Sequence, residues 1–240
     1  KVELALLSQK AENEYCGVNC GIMDQFASAN GKKAHAVLLD CASLQYDYVP
    51  LNLKNCVLVL ANCNKPHNLR ESKYNERRGE VEFALNVLKK GGLKVNNLSE
   101  VKPWELEDFK DELGATVYRR AKHVTSECLR VERSVEALKS GDLEQFGRLL
   151  YESHYSLKLN YEVTGKELDA LVEGAERQVG CIGSRMTGAG FGGCTVSLVG
   201  KDKVESFIKN VGEYYKDKIG YAASFYVAEI ADGIIDEGKA

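Results

Sequence analysis

The spacing of apolar and polar residues predicts a chain that mixes helices with short strands. Apolar positions three and four residues apart indicate helices at 2–15, 21–29, 69–89, 116–139, 142–157, 166–178 and 202–218. Alternating or β-branched apolar runs indicate strands at 34–40, 46–51, 55–61, 194–199 and 222–228. The helices cluster in the middle of the chain and do not alternate strictly with strands. This pattern favours an α+β fold over a doubly wound parallel sheet.

A glycine-rich segment precedes the strand predicted at 194–199. It lies between residues 180 and 193, and Gly188, Gly190 and Gly193 fit the spacing G-x-G-x-x-G. A dinucleotide-binding loop with this spacing leads from a strand into a helix, whereas a strand follows here. The Gly-Lys-Ser/Thr of a Walker loop is also absent from the sequence. We interpret the segment as a loop that brings backbone close to a ligand, with a tight packing turn as the alternative.

Asp24 is a single carboxylate among apolar residues, near the start of the helix predicted at 21–29. A carboxylate in such a place can accept a proton or orient a substrate hydroxyl. It can equally do no more than interact favourably with the positive end of the helix dipole. The residues alone leave both interpretations open.

Composition restricts the partners of the chain. Its 240 residues carry 32 Lys and Arg against 35 Asp and Glu, a formal net charge of −3, which argues against nucleic acid or an anionic membrane. The eight cysteines contain no Cys-x-x-Cys pair, so we expect reduced thiols in a cytoplasmic protein. The chain begins at Lys1 and its two methionines are Met23 and Met186, so we interpret it as a fragment.

Several stretches together carry a resemblance to a known family. The two most specific are CGIMDQF at 20–26 and GSRMTGAGFGGCTVSL at 183–198. Four others are HAVLLDCASL, ESKYNERRGE, RRAKHVTSE and FGRLLYESHYSL, which begin at His35, Glu71, Arg119 and Phe146. In this order the stretches resemble the galactokinase family, part of the superfamily of galactokinase, homoserine kinase, mevalonate kinase and phosphomevalonate kinase.

The resemblance implies the two-domain sugar-kinase fold of that superfamily, with the first half of the N-terminal domain missing. Residues 1–52 would be the remainder of the N-terminal domain, and residues 53–240 the C-terminal α+β domain. The implied reaction is phosphorylation of the C1 hydroxyl of α-D-galactose by ATP, with Mg²⁺. Asp24 resembles the catalytic aspartate, and Gly21, Asp24 and Tyr74 match positions that bind the sugar. The active-site glycine loop of the family is matched by Ser184, Arg185, Met186, Thr187, Gly188, Gly190, Gly192 and Gly193.

Two sequence blocks of the family are absent from the chain. One supplies an arginine and sugar contacts, and the other, Pro-x-x-x-Gly-Leu-Ser-Ser-Ser-Ala, cradles phosphate at a helix N-terminus. The main nucleotide and metal contacts are therefore expected in the missing N-terminal part, and no metal ligand is assigned here. We expect the 240 residues alone to be inactive. A non-catalytic galactokinase-like sensor or remnant and an N-acetylgalactosamine kinase are the alternatives.

Overall fold

The structure is a computed structural model that describes residues 1–17, 20–65 and 70–234, with side chains from 73 in the last range. Its helices are α1 (Val2–Lys10), α2 (Met23–Asn30), α3 (Arg70–Lys90), α4 (Lys110–Ser140), α5 (Leu143–Ser156), α6 (Gly165–Glu176) and α7 (Val204–Ile219). Its strands are β1 (His35–Leu39), β2 (Tyr46–Pro50), β3 (Cys56–Asn62), β4 (Cys181–Thr187), β5 (Cys194–Gly200) and β6 (Ser224–Ala228). Shorter helical turns are Ala11–Tyr15, Leu98–Glu100, Pro103–Phe109, Leu157–Tyr161 and Lys201–Lys203.

The α+β class predicted from the pattern is confirmed, and each predicted helix and strand has a counterpart. Residue 69, the predicted start of α3, lies outside the described residues. Helix α4 begins at Lys110 rather than at 116, and Gly114 interrupts its first turns with a φ of +68°. Glycine adopts this conformation without the steric penalty of a side chain, so the chain can bend there. In the described part of the chain, no helix is long and apolar enough to cross a bilayer.

Contacts divide the chain into two units. The first contains Lys1–Lys54 and Leu138–Gly141, together with the described residues from Glu229 onward. The second contains Asn55–Ala137 and Asp142–Ala228. This division differs from the predicted assignment of residues 53–240 to one domain, of which 235–240 lie outside the described residues.

The difference at the end of the chain has a physical cause in two glycines of the first unit. Gly233 donates a backbone hydrogen bond to the Gly31 carbonyl at 2.8 Å, and Ile234 donates to the Ser28 carbonyl at 3.0 Å. A Cβ at Gly233 would lie 2.7 Å from the Gly31 nitrogen, so only glycine permits this approach. The last described residues therefore pack on α2 rather than continuing the second unit.

The first unit is built on α1, α2 and a two-stranded hairpin. Strands β1 and β2 pair antiparallel with His35 opposite Pro50. The small core of this unit contains Ala5, Phe26 and Ala29, which are almost fully buried. Phe26 lies in the same turn of α2 as Asp24, so the buried Phe26 ring anchors the turn that carries the Asp24 carboxylate.

The second unit contains a four-stranded antiparallel sheet in the order β4-β5-β3-β6. Its main core brings the sheet together with α6 and α7, and includes the buried side chains of Val59, Leu168, Met186, Phe207 and Tyr215. A second cluster of buried residues joins α3, the Pro103–Phe109 turn and α4. The apolar faces of the predicted helices and strands are thus buried in two separate cores.

Strand β4 corrects the prediction that the whole segment from 180 to 193 is a loop. Residues Cys181–Thr187 pair antiparallel with β5 at the edge of the sheet, so only 188–193 connect the two strands. A bulge between Cys181 and Gly183 and the glycine itself hide the alternation that would identify a strand. Gly183 is required by packing, because a Cβ there would lie 2.5 Å from the Cα of Gly147 in α5.

Candidate functional site

Asp24 lies in the first turn of α2, where its charge interacts favourably with the helix dipole. The side chain is exposed rather than enclosed, although its neighbours Ile22 and Phe26 are buried. Within the described residues, no hydrogen bond or ion pair engages its carboxylate, so its oxygens are available to a ligand hydroxyl. Asp24 opens onto a cavity of about 260 Å³, lined by Leu4, Ala5, Ser8, Asp24, Gln25, Ser28, Ala29 and Ile234.

Gly21 lies just before α2 and is exposed. Of the described residues, none places a heavy atom within 4 Å of the position that a Cβ would occupy at Gly21, so this face of the backbone is open. The preceding residue is held firmly, because the Cys20 amide donates to Asn13 Oδ1 at 3.1 Å and Gln9 Nε2 donates to the Cys20 carbonyl at 3.2 Å. The open backbone at Gly21 is thus anchored to the helical turns before it.

Tyr74 and the glycine residues of the predicted site belong to the second unit, whereas Gly21 and Asp24 belong to the first. Tyr74 is half-buried on α3, close enough to Tyr161 that its charge raises the pKa of Tyr161, after the larger effect of burial. The adjacent Lys73 holds its Nζ 5.7 Å from the centre of the Phe191 ring. The start of α3 and the connection between β4 and β5 therefore share one region of the second unit.

The β4–β5 connection, residues 188–193, has a backbone that its glycines make possible. Gly188, Gly190, Gly192 and Gly193 all have positive φ, between +81° and +131°. Phe191 also has a positive φ of +58°, and its amide donates to the Val163 carbonyl at 2.6 Å.

Two of these glycines face different surroundings. A Cβ at Gly190 would lie 2.3 Å from the Val163 carbonyl oxygen, so this position is fixed by packing. No heavy atom of the described chain lies within 4 Å of a Cβ placed at Gly188. The connection is therefore pinned near Phe191 and open at Gly188, where a ligand has room to approach.

The four residues predicted as the start of the glycine loop lie instead in β4. Ser184 is fully buried, with its hydroxyl 2.8 Å from that of Ser197 on β5. Met186 is buried in the main core, and Thr187 is the last, half-buried residue of the strand. Arg185 is mostly buried, and burial first, then the nearby charge of Arg130, lowers its pKa to about 10. These residues belong to a paired strand rather than to an open loop, and the side chain of each is buried or half-buried.

His154 is a buried residue for which the sequence indicates no catalytic or binding role. Its Nδ1 accepts from the Met186 amide at 3.3 Å, and its Nε2 lies 3.3 Å from Asp169 Oδ1. Burial acts to raise the pKa of Asp169, but hydrogen bonds from His154 and Thr164 and the charge of Lys158 hold it below its usual value. The histidine thus ties the edge strand β4 to an ionised carboxylate on α6. The ESH motif at 152–154 was visible in the sequence, but its partners were not.

The donor set of the described residues does not fit a divalent metal. They contain no group of three or more His, Cys, Asp or Glu side chains placed to hold an ion. None of the eight cysteines, all within the described residues, forms a disulfide. Any metal-dependent step therefore needs ligands other than a cluster in this part of the chain.

Comparison with known proteins shows which families the chain resembles. Residues 134–217, about a third of the chain, match the family described as GHMP kinases C terminal. A homoserine kinase from Cytophaga hutchinsonii shares the fold, with a TM-score of 0.56 and 14% identity over 97% of this chain and 58% of that one.

Within this class, the similarity to galactokinases predicted from the sequence is confirmed. The chain is 52% identical to a galactokinase of Clostridium perfringens and 51% identical to one of Fusobacterium nucleatum, each over 97% of its length. It also matches the crystal structure of Lactococcus lactis galactokinase complexed with galactose, with 47% identity and a TM-score of 0.93 over 97% of this chain. In each case the chain spans 60% of the length of the relative.

Proposed function

We propose that the protein containing this chain transfers a phosphoryl group from ATP to the C1 hydroxyl of α-D-galactose, in the cytoplasm. The observation that carries the proposal is the close match, along 97% of the chain, to a galactokinase structure that holds galactose. The unengaged carboxylate of Asp24 at the edge of an open cavity adds chemical support. Because the chain spans 60% of its relatives, the proposal concerns the natural-length protein.

Asp24 is the proposed catalytic carboxylate. As an exposed acid at the positive end of α2, it can accept a hydrogen bond from a sugar hydroxyl and hold that oxygen for attack. Phosphoryl transfer depends more on position and charge than on covalent chemistry, so an oriented hydroxyl is a large part of the catalysis. Gly21 would let the sugar approach the backbone beside Asp24. Tyr74 is proposed as a further sugar-binding residue.

ATP is the proposed phosphoryl donor, and it supplies the transferred group when bound. The chain's own contribution would come from the β4–β5 connection, where the open backbone at Gly188 leaves room for phosphate oxygens. Lys73, beside Phe191 on this connection, would add a positive charge. Mg²⁺ is proposed by analogy with phosphoryl transfer in general, and no step is assigned to it because the described donor set does not fit it.

The experiment compares Asp24→Asn with Glu3→Gln in the natural-length protein. Glu3 is also an exposed acid in the first turn of a helix, so its variant removes a similar charge without touching the proposed chemistry. We expect Asp24→Asn to lower kcat for galactose-dependent ADP release by about 10²-fold or more. Glu3→Gln should stay within about twofold of the parent. Normal turnover by Asp24→Asn would refute the assignment.

A further inference from the structure

Arg120 is a fully buried cation on α4, and each edge of its guanidinium is engaged. Its Nε donates to Glu80 Oε2 at 3.0 Å, its Nη2 donates to Glu162 Oε2 at 2.6 Å, and its Nη1 donates to the Asn160 carbonyl at 2.5 Å. Burial opposes its charge, but the two carboxylates raise its pKa above the usual value, so Arg120 stays ionised. The planar fork of arginine suits three partners at once, which a lysine ammonium does not reproduce.

A second arginine binds the same stretch of backbone from α3. Arg77 donates from Nε to the Tyr161 carbonyl at 2.7 Å and from Nη2 to the Glu162 carbonyl at 3.5 Å. Its Nη1 also reaches Glu80 at 2.9 Å, so one carboxylate joins the two arginines. Three consecutive carbonyls, from 160 to 162, are thereby held by two buried cations.

The backbone held in this way has an unusual conformation. Glu162 has φ +56° and ψ +50°, in the left-handed region that costs a non-glycine residue free energy unless its surroundings fix it. The bonds from Arg77 and Arg120 on either side of this turn supply that constraint. They determine where the next residue, Val163, places its carbonyl.

Val163 is the residue against which the β4–β5 connection packs. Its carbonyl accepts the Phe191 amide at 2.6 Å and lies so close to Gly190 that no side chain fits there. Tyr74 lies one helical turn before Arg77 on α3, and the Arg77 side chain binds the held stretch directly. Both parts of the candidate site in the second unit therefore depend on the segment 160–163.

We propose that Arg120 is a positioning residue for phosphoryl transfer, because it fixes the segment 160–163 on which the β4–β5 connection and Tyr74 are placed. Because Arg120 is buried, it would act through this segment and not by contact with substrate or nucleotide. The proposal rests on the proposed kinase function and adds a residue to it. If Arg120 acted only in stability, its loss would lower the melting temperature without moving the connection. If it positions the connection, its loss also loosens the Phe191 amide and slows turnover.

The test measures Arg120→Lys and Glu162→Gln in the natural-length protein, with Arg130→Lys as the matched control. Arg130 is a half-buried arginine on the same helix that pairs with Glu127 and Glu152, and none of its described ion pairs involves the segment 160–163. The readouts are melting temperature, hydrogen exchange at the Phe191 amide, and kcat and KM for both substrates.

For Arg120→Lys we expect exchange at Phe191 to rise by about tenfold or more and kcat to fall by about 10- to 100-fold, since small misplacement is costly in catalysis. Glu162→Gln, which leaves Arg120 in place, should also raise exchange at Phe191 and lower kcat, each by a smaller factor. This variant provides the test if Arg120→Lys does not fold. Arg130→Lys should leave both readouts unchanged.

A folded Arg120→Lys with unchanged kcat and unchanged exchange at Phe191 would overturn the positioning role, as would equal effects in Arg130→Lys. If the parent protein shows no galactose-dependent turnover, the proposed function fails instead. In that case the exchange measurement still decides whether Arg120 holds the β4–β5 connection.

Discussion

The close contact of α5 with β4 provides a sharp test of how the edge strand is held. Helix α5 and β4 meet through two glycines, Gly147 and Gly183, with no side chain between their backbones. A Cβ at position 147 would lie 2.0 Å from the Ile182 carbonyl oxygen and 2.6 Å from its carbon. Gly147→Ala must therefore push α5 away from the strand by about 1 Å, since close-packed interiors leave no space for the methyl group.

The cost of this displacement can be worked out from the neighbours of α5. Overpacking of this kind costs about 1–3 kcal/mol. Separation of the helix from the strand also weakens the 3.3 Å bond from the Met186 amide to His154, and an unmade buried hydrogen bond costs about 1–3 kcal/mol. We expect Gly147→Ala to lower the free energy of unfolding by about 3 kcal/mol, and the melting temperature by about 6–12 °C.

The assay is urea denaturation followed by far-ultraviolet circular dichroism, with Gly79→Ala as the control. Gly79 is exposed on α3, and none of the described residues lies within 4 Å of a Cβ placed there. Alanine should therefore stabilise the helix at this position by about 0.5–1 kcal/mol. The two glycine substitutions are thus predicted to change the free energy of unfolding in opposite directions. A Gly147→Ala protein within about 0.5 kcal/mol of the parent would refute the packing argument.

Three further predictions concern stability. Burial first, then nearby arginine charges, lowers the pKa of His123 to about 3, whereas the unfolded value is 6.5. The unfolded state therefore binds the extra proton between these values, and stability should fall by up to about 1.4 kcal/mol per pH unit as pH drops from 6.5 towards 3. His123→Gln should flatten this part of the dependence in urea titrations at several pH values, and an unchanged slope would contradict the reasoning. Arg185 makes no ion pair with a carboxylate among the described residues and has a pKa of about 10, so the cost of its charge is present at every pH below that value. Arg185→Met should raise the free energy of unfolding at pH 7 by about 1–3 kcal/mol, and a lower melting temperature would argue against it. Asp142 caps α5 by accepting a hydrogen bond from the Gln145 amide at 2.8 Å. In urea titrations, Asp142→Ala should therefore lower the free energy of unfolding by about 1 kcal/mol, whereas Asp142→Asn should keep most of this stabilisation.

Most elements of the fold could be predicted from the sequence, because their patterns are local. The face of α4 that carries Ala121 and Val124 repeats with helical spacing, and the run at 55–61 is too short and too rich in Val and Leu for a surface helix. The glycine requirement in 188–193 is also local, since positive φ values favour glycine whatever surrounds them. The sequence likewise singled out Asp24 at the start of its helix.

The tertiary structure decided what depends on partners distant in the chain. Strand β4 exists because β5 offers it a hydrogen-bonding edge, and its own residues, with a glycine and a bulge, lack a strand pattern. The hydrogen bonds from Arg77 and Arg120 to the carbonyls at 160–162 join residues 40 to 85 positions apart, so no local sequence pattern predicts them. The same holds for the return of Gly233 to Gly31. Periodicity reports which face of an element is buried, whereas only the folded chain determines which distant group that face meets.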